Sequence, residues 1–250
     1  MLADYFWILF CIPAVAFLYA SVGHGGASGY IALMYLFHFS QYDIKPIALV
    51  MNLFVAAIAF FHYWRQGFFR FNVFIIFALG SVPFSFMGGY ISISPLYYNL
   101  LLAIFILISV LKLSGSFQMQ DKIMTVKFNP FLALFIGVLI GFSSGLIGIG
   151  GGIILTPIIL LFNWGTIKEA AAISALFIWV NSAAALVGQL SQGVQIPKLV
   201  WLMVAVAILG GFAGSYLGAK KMNNRIVKRL LLIVLSIALV KLIYSLWQMI

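Results

Sequence analysis

Two glycine-rich stretches carry the groups best suited to holding a small anion. The first runs from Ser21 to Gly29 as SVGHGGASG, and a relative of it, GLIGIGGG, runs from Gly145 to Gly152, about 125 residues later. In the first, Gly23, Gly25, Gly26 and Gly29 permit tight backbone with positive φ and close approach by a ligand. Exposed N–H groups at the start of a following half-helix, with the hydroxyls of Ser21 and Ser28, would form a nest for an oxyanion. In the second, Gly148, Gly150, Gly151 and Gly152 play the same part, with Ser143 and Ser144 before them and Thr156 after. His24 is the titratable group inside these motifs. It could donate to an anion, carry a coupled proton, or stand as a neutral, structurally bonded histidine. Asn52 on one downstream helix, and Ser174, Asn181 and Ser182 on another, offer amides and hydroxyls that bind an anion without adding fixed charge. They could equally bond helix to helix. The candidate binding set is therefore Ser21, Gly23, His24, Gly25, Gly26, Ser28, Asn52, Ser144, Gly148, Gly150, Gly151, Gly152, Thr156, Ser174 and Asn181. Gly88, Gly89, Gly210, Gly211 and Gly214 read as helix-packing glycines instead.

The acidic residues point the same way. Asp4, Asp43, Asp121 and Glu169 are the four in the chain, and each falls at or beyond the end of an apolar segment. No mid-membrane carboxylate is available for a proton relay or a cation site, which favours anions as cargo. Nothing in the sequence calls for a cofactor or a metal, and no catalytic residues are assigned.

The elements that must position these groups lie in a bilayer. The chain is 65% hydrophobic and 7% charged over 250 residues, too little polar surface for a water-soluble globule. The one cysteine, Cys11, excludes an internal disulfide. Asp4 stands where a signal peptide would have a basic region, so the N-terminus reads as mature structure. The net charge of +10 is explained by basic residues collecting in cytoplasmic loops and needs no nucleic-acid partner.

Residues 5–42 and 128–167 contain no Asp, Glu, Lys or Arg. As continuous helix, either would reach roughly 60 Å, about twice the hydrocarbon thickness. With glycines near the middle, each reads as a hairpin of two helical pieces that enters and leaves on one face, where backbone without helical bonds must line something other than lipid. A helix from Pro46 to Trp64 follows the first hairpin and one from Ala170 to Gln189 the second, with Pro46 in the first helical turn. Residues 71–111 are long enough for two crossings, turning at 92–95. Residues 199–219 and 230–250 are their counterparts, joined by the basic loop 220–225. The repeats are residues 1–113 and 128–250, with a cytoplasmic linker at 114–127.

Returning hairpins leave three crossings per half and so halves of opposite orientation. One face then holds Arg65, Arg70, Lys112, Lys122, Lys127, Lys168, Lys220, Lys221, Arg225, Lys228 and Arg229, and the other Lys45, Lys198 and Lys241. Eleven basic residues against three is a clear positive-inside bias. The expected fold is an all-α integral membrane protein of two inverted repeats, each a glycine-broken helical hairpin followed by three transmembrane helices. Broken helices of this kind, meeting at mid-membrane with half-helix N-termini aimed at an anion, are how many secondary transporters build a substrate site.

With these motifs in view, the chain resembles the sulfite exporter TauE/SafE family of bacterial membrane proteins over nearly its whole length. The likeness rests on the paired strings SVGHGGASGY and GLIGIGGGIILTP and on the polar positions Asn52 and Ser174 after them. His24 departs from the glycine commoner in the family. The stretch from Ala27 to Gly29 departs from the pattern of the second copy. The resemblance implies a multi-pass protein of the bacterial cytoplasmic membrane that moves sulfite, thiosulfate or an organosulfonate such as sulfoacetate, with Gly23 to Gly26 and Gly148 to Gly152 binding it. A passive anion channel is the alternative. A rhomboid-like intramembrane serine protease is a weaker one, since Gly26 to Gly29 spells G-x-S-G with His62 as its base. The expected partners are a small anionic substrate and the lipid bilayer. A coupling proton or sodium ion, the direction of transport and the oligomeric state are left open.

Overall fold

The computed structural model describes residues 2–91 and 128–249, together with 96, 97, 100, 103, 104, 107, 110 and 111. The turn at 92–95, Lys112 and the linker at 114–127 lie outside the described residues. Among those described, the regular structure is helical. The first hairpin is α1 (Leu2–Ala20) and α2 (Ala27–Leu36), followed by α3 (Gln41–Arg65) and α4 (Phe71–Tyr90). The second is α5 (Pro130–Ile147) and α6 (Gly152–Leu161), followed by α7 (Ile167–Leu190), α8 (Val200–Tyr216), a π turn (Leu217–Lys221) and α9 (Asn224–Met249). Among the described residues, five helices are long and apolar enough to cross a membrane: α3, α4, α5, α7 and α8 with its π turn.

Local chemistry explains several boundaries. Asn129 caps α5 by accepting from the Leu132 N–H at 3.1 Å, and Pro130 occupies the first turn. Thr166 and Glu169 form a reciprocal capping box at the start of α7. Two expected boundaries shift. α3 starts at Gln41 rather than Pro46, because Ser40 caps it through its own carbonyl, which accepts from the Asp43 and Ile44 N–H groups. Pro46 thus lies past the first turn and leaves the Tyr42 carbonyl without its helical donor. The basic loop is shorter than expected: Lys220 and Lys221 lie in the π turn and Arg225 lies in α9, leaving Met222 and Asn223 between them.

The surface is apolar and the interior partly polar. Trp7, Phe135, Leu209 and Trp247 are among the large side chains that face outward, a distribution suited to lipid and not to water. Buried at the centre are His24, Asn52, Ser174, Asn181 and Ser182.

Helix directions follow from close backbone contacts. Gly137, Gly141 and Gly145 of α5 meet Phe77, Ser81 and Ser85 of α4 in register, so the two helices run parallel. In the same way Gly210, Gly214 and Gly218 meet Pro13, Phe17 and Ser21, so α8 runs parallel to α1. α4 is parallel to α7, with Gly89 against Ala185 and the Ser85 hydroxyl donating to the Asn181 carbonyl. α8 is parallel to α3, with Gly211 against Val55 and Ser215 bonded to His62. Between α3 and α7, Asn52 meets Ser182 while Tyr63 packs with Ala171 and Ala172, so these two run antiparallel. α1 therefore shares the direction of α3, and α2 returns the chain to the end from which α1 departs. α5, α6 and α7 repeat the arrangement in the opposite sense. The packing glycines Gly88, Gly89, Gly210, Gly211 and Gly214 lie at these helix contacts, where a Cβ would strike a neighbouring helix.

Candidate functional site

Each hairpin is closed by glycine in the left-handed conformation. Gly23 (φ 77°) ends α1: its N–H bonds to the Ala20 carbonyl at 3.0 Å and the His24 N–H reaches back to Tyr19 at 2.9 Å. That is the Schellman arrangement, and it halts the helix inside the bundle. Gly148 (φ 83°) ends α5 with its N–H on the Ser144 carbonyl at 2.7 Å. The return helices begin at Gly26 (φ 99°) and Gly151 (φ 77°). A side chain at any of these positions would carry backbone strain.

The inner parts of the two elbows meet beside Asn52. A Cβ on Gly25 would fall on the Asn52 amide, and one on Gly150 would lie 2.7 Å from the Ser182 hydroxyl and 3.1 Å from Asn52 Nδ2. The Asn52 carbonyl oxygen accepts from the Ala27 N–H at 3.1 Å, at the start of α2. Its amide nitrogen donates to the Ile149 carbonyl and to the Ser182 hydroxyl, both at 3.2 Å. One side chain thus ties elbow one to elbow two and to α7. A second bridge runs from His24 Nε2 to Thr156 Oγ1 at 3.0 Å, and Thr156 donates onward to Ser174 Oγ at 2.7 Å. Since the Thr156 proton is committed to Ser174, His24 Nε2 must be the donor in the first bond. Neutral His24 therefore holds its lone pair on Nδ1, which is buried and has no partner. His24, Asn52, Ser174, Asn181 and Ser182 are all 0% exposed, so the elbows are sealed from both sides.

The candidate residues divide. Gly25, Gly150 and Asn52 converge in one cluster, with His24, Thr156 and Ser174 in the adjoining chain of bonds. Gly26 and Gly151 begin the half-helices, and Gly152 packs on Ile178 of α7. Gly23 and Gly148 lie toward opposite ends of the bundle, against Ala171 and the Lys45 side chain respectively. Ser21 and Ser144 turn back onto their own helices, donating to Leu18 and Gly141. Ser28 is hydrogen-bonded to Tyr19 at 2.8 Å. The Asn181 amide nitrogen donates to Phe177, and its side-chain oxygen is buried without a partner. Ser182, which the candidate set omits, joins the Asn52 cluster. Tyr30 lies outside the candidate set, yet its buried hydroxyl, without a hydrogen-bond partner among the described residues, sits beside Gly26. Its place one helical turn after Gly26 was the available signal. Ser28 and His62 do not form a dyad, because His62 Nδ1 is bonded to Ser215 at 2.8 Å on another part of the bundle.

Arg65, Arg70, Lys168 and Lys220 gather at one end. Arg65 and Lys220 line a common cavity, Lys168 donates to the Ala219 carbonyl at 3.1 Å, and Arg70 approaches Glu169 at 4.0 Å. Lys45 is at the other end of α3.

A lipid-facing shell of long apolar helices around two sealed, glycine-broken hairpins defines a multi-pass α-helical membrane protein with a polar centre. The chain belongs to the sulfite exporter TauE/SafE family, whose profile matches residues 8–242. It is 36% identical over 234 residues to the probable membrane transporter protein y4hK of Sinorhizobium fredii, covering 92% of this chain and 94% of that one. Similarity to the probable membrane transporter protein YunE of Bacillus subtilis is 26% over 195 residues, covering 68% and 69%. The probable membrane transporter protein MJ0441 of Methanocaldococcus jannaschii is 30% identical over 166 residues, covering 62% and 60%. No solved structure matches the chain.

Proposed function

We propose that this protein is a secondary transporter that moves a small sulfur-containing oxyanion, such as sulfite, thiosulfate or an organosulfonate, by alternating access between two inverted repeats. The observation that carries the reading is the meeting of two uncharged elbows at Asn52, deep between α3 and α7, which run in opposite directions. Half-helix N-termini and backbone N–H groups would offset part of the anion's charge without a fixed cation. The family and the transporter names of its relatives support a transport role. The complete burial of the elbow side chains fits an occluded state, in which neither face has access. Rocking of one repeat against the other would open it to each side in turn.

The coupling ion under this reading is a proton. Neutral His24 presents a lone pair at Nδ1 and would repel an oxyanion; a proton there turns it into a donor. Anion and proton would enter the elbows together.

The test is flux in proteoliposomes with labelled sulfite, thiosulfate and sulfoacetate, measured with and without unlabelled anion on the far side. Saturable uptake with counterflow is expected, as a carrier requires. Gly150→Leu should abolish it while the protein still inserts, because the position has φ 74° and abuts Ser182, Ile178 and Asn52. Full uptake by that variant would overturn the site, and unsaturable flux without counterflow would identify a channel.

A further inference from the structure

Away from the elbows, the end of α3 lies beside the passage of α8 into the π turn. A cavity of about 420 Å³ opens there. Arg65 and Gln66 line it from the α3 end, and Tyr216 and Lys220 from the end of α8. Phe61 and Phe212 form its walls one turn deeper.

The charges in it are available. The Arg65 guanidinium rests 5.4 Å from the Phe61 ring centroid, and Lys220 lies 5.4 Å from that of Tyr216 with its amine 3.4 Å from the Tyr216 hydroxyl. Among the described residues, neither cation has a carboxylate partner. Two other cations at this end, Arg70 and Lys168, differ. Arg70 donates to the Trp164 carbonyl at 2.9 Å and approaches Glu169, while Lys168 donates to Ala219 and covers the Phe68 ring. The chain satisfies those two internally, whereas Arg65 and Lys220 face the cavity with aromatic rings as their neighbours.

Depth decides which ligand suits the cavity. The apolar span of α3 closes at Arg65 and that of α8 and its π turn at Lys221, so the two cations lie at headgroup level. Phe61 and Phe212 are 45% and 55% exposed on the bilayer side. The cavity therefore has a cationic rim and an apolar floor that opens toward acyl chains. A π turn re-aims side chains relative to an α-helix, and here it sets Lys220 on the cavity rim.

We propose that this cavity binds the phosphate headgroup of an anionic phospholipid, with Arg65 and Lys220 on the phosphate, Gln66 and Tyr216 as neutral partners, and Phe61 and Phe212 along the first acyl methylenes. Arginine suits the planar, two-point recognition of a phosphate and lysine supplies a point charge. Basic pockets between helices at the membrane surface are sites of this chemistry.

Native mass spectrometry and thermal shift of the purified full-length protein in detergent test it, with dioleoyl phosphatidylglycerol, dioleoyl phosphatidylcholine and inorganic phosphate added separately. Phosphatidylglycerol should stay bound and raise the apparent melting temperature, and the other two should not. The double variant R65Q/K220Q should bind phosphatidylglycerol about thirty-fold more weakly, since it removes two surface charges. R65K/K220R should retain most of the binding. Equal retention of phosphatidylcholine, or equal binding by R65Q/K220Q, would overturn the proposal. Stabilisation by inorganic phosphate alone would overturn it in favour of a soluble-anion site. The comparison of the three ligands on the unaltered protein stands even if a variant fails to fold.

Discussion

Asn52 is where the coupling of the two elbows can be measured. Replacing it with Ala removes three bonds: one from the Ala27 N–H, one to the Ile149 carbonyl and one to the Ser182 hydroxyl. The three losses are unequal. Ser182 lies on a regular helix and its hydroxyl can turn to its own backbone, so that bond is worth about the 0.6 kcal/mol average for side-chain bonds inside membrane proteins. Ala27 N–H and Ile149 C=O belong to backbone that no helix satisfies, and each costs roughly 1–3 kcal/mol when left buried and alone. Asn52→Ala should therefore destabilise by about 3–7 kcal/mol and Ser182→Ala by about 0.6 kcal/mol. For a chain of this size each kcal/mol shifts the melting temperature by roughly 2–4 °C, so the first variant should melt on the order of 10 °C lower. The double variant should add little to Asn52→Ala, because the two residues share one bond. Thermal denaturation in detergent, followed by size-exclusion chromatography, supplies the readings, alongside flux in proteoliposomes. If Asn52→Ala melts no lower than Ser182→Ala, the amide does not hold the elbows together and the site must be redrawn.

Two further outcomes are expected. His24→Gln should keep a donor toward Thr156 and so retain the fold, but flatten the pH dependence of flux that protonation of the imidazole would impose; an unchanged pH profile would remove the proton from the mechanism. Single cysteines at Ser40 and Asn163, which follow α2 and α6 respectively, should react with impermeant reagents from opposite faces in a Cys11→Ala background. Labelling of both from one face would defeat the inverted arrangement.

The architecture was legible where composition and length conflict. An uncharged run about twice as long as the hydrocarbon is thick, with glycines at its middle, has to fold back, and α1–α2 and α5–α6 do so at Gly23 to Gly26 and Gly148 to Gly151. Glycine also has two uses that sequence separates poorly. Gly141 and Gly145 stand only a few residues before Gly148 and Gly150, yet the first pair lets α5 press on α4 while the second forms the elbow. The side-chain roles were less legible still. A serine inside a helix can bond to the preceding turn, as Ser21 and Ser144 do, so its type alone does not say whether it serves a ligand. Tyr30 is hidden by the same ambiguity, since its ring reads as core and only its position after Gly26 brings the hydroxyl to the elbow. Lys220 depends on a π turn that no local pattern announces.

The two elbows also differ in a way that bears on where an anion would sit. At the start of α2, the Asn52 side-chain oxygen already accepts from Ala27, so this half-helix is capped by a neighbouring helix. Among the described residues no side chain caps α6, whose first turn begins at Gly151 and Gly152 beside Ser144, Phe177 and Ile178. An oxyanion entering from either face would find free donors first at α6, with His24 reaching that helix through Thr156. To engage α2 as well it must displace the Asn52 oxygen, and rotation of that one amide would break its bonds to Ile149 and Ser182 together. Binding would then loosen the tie between the two elbows as the charge of the anion takes its place. A carrier can use that coupling, because binding itself would then favour the rearrangement that moves the loaded centre. A channel has no use for it.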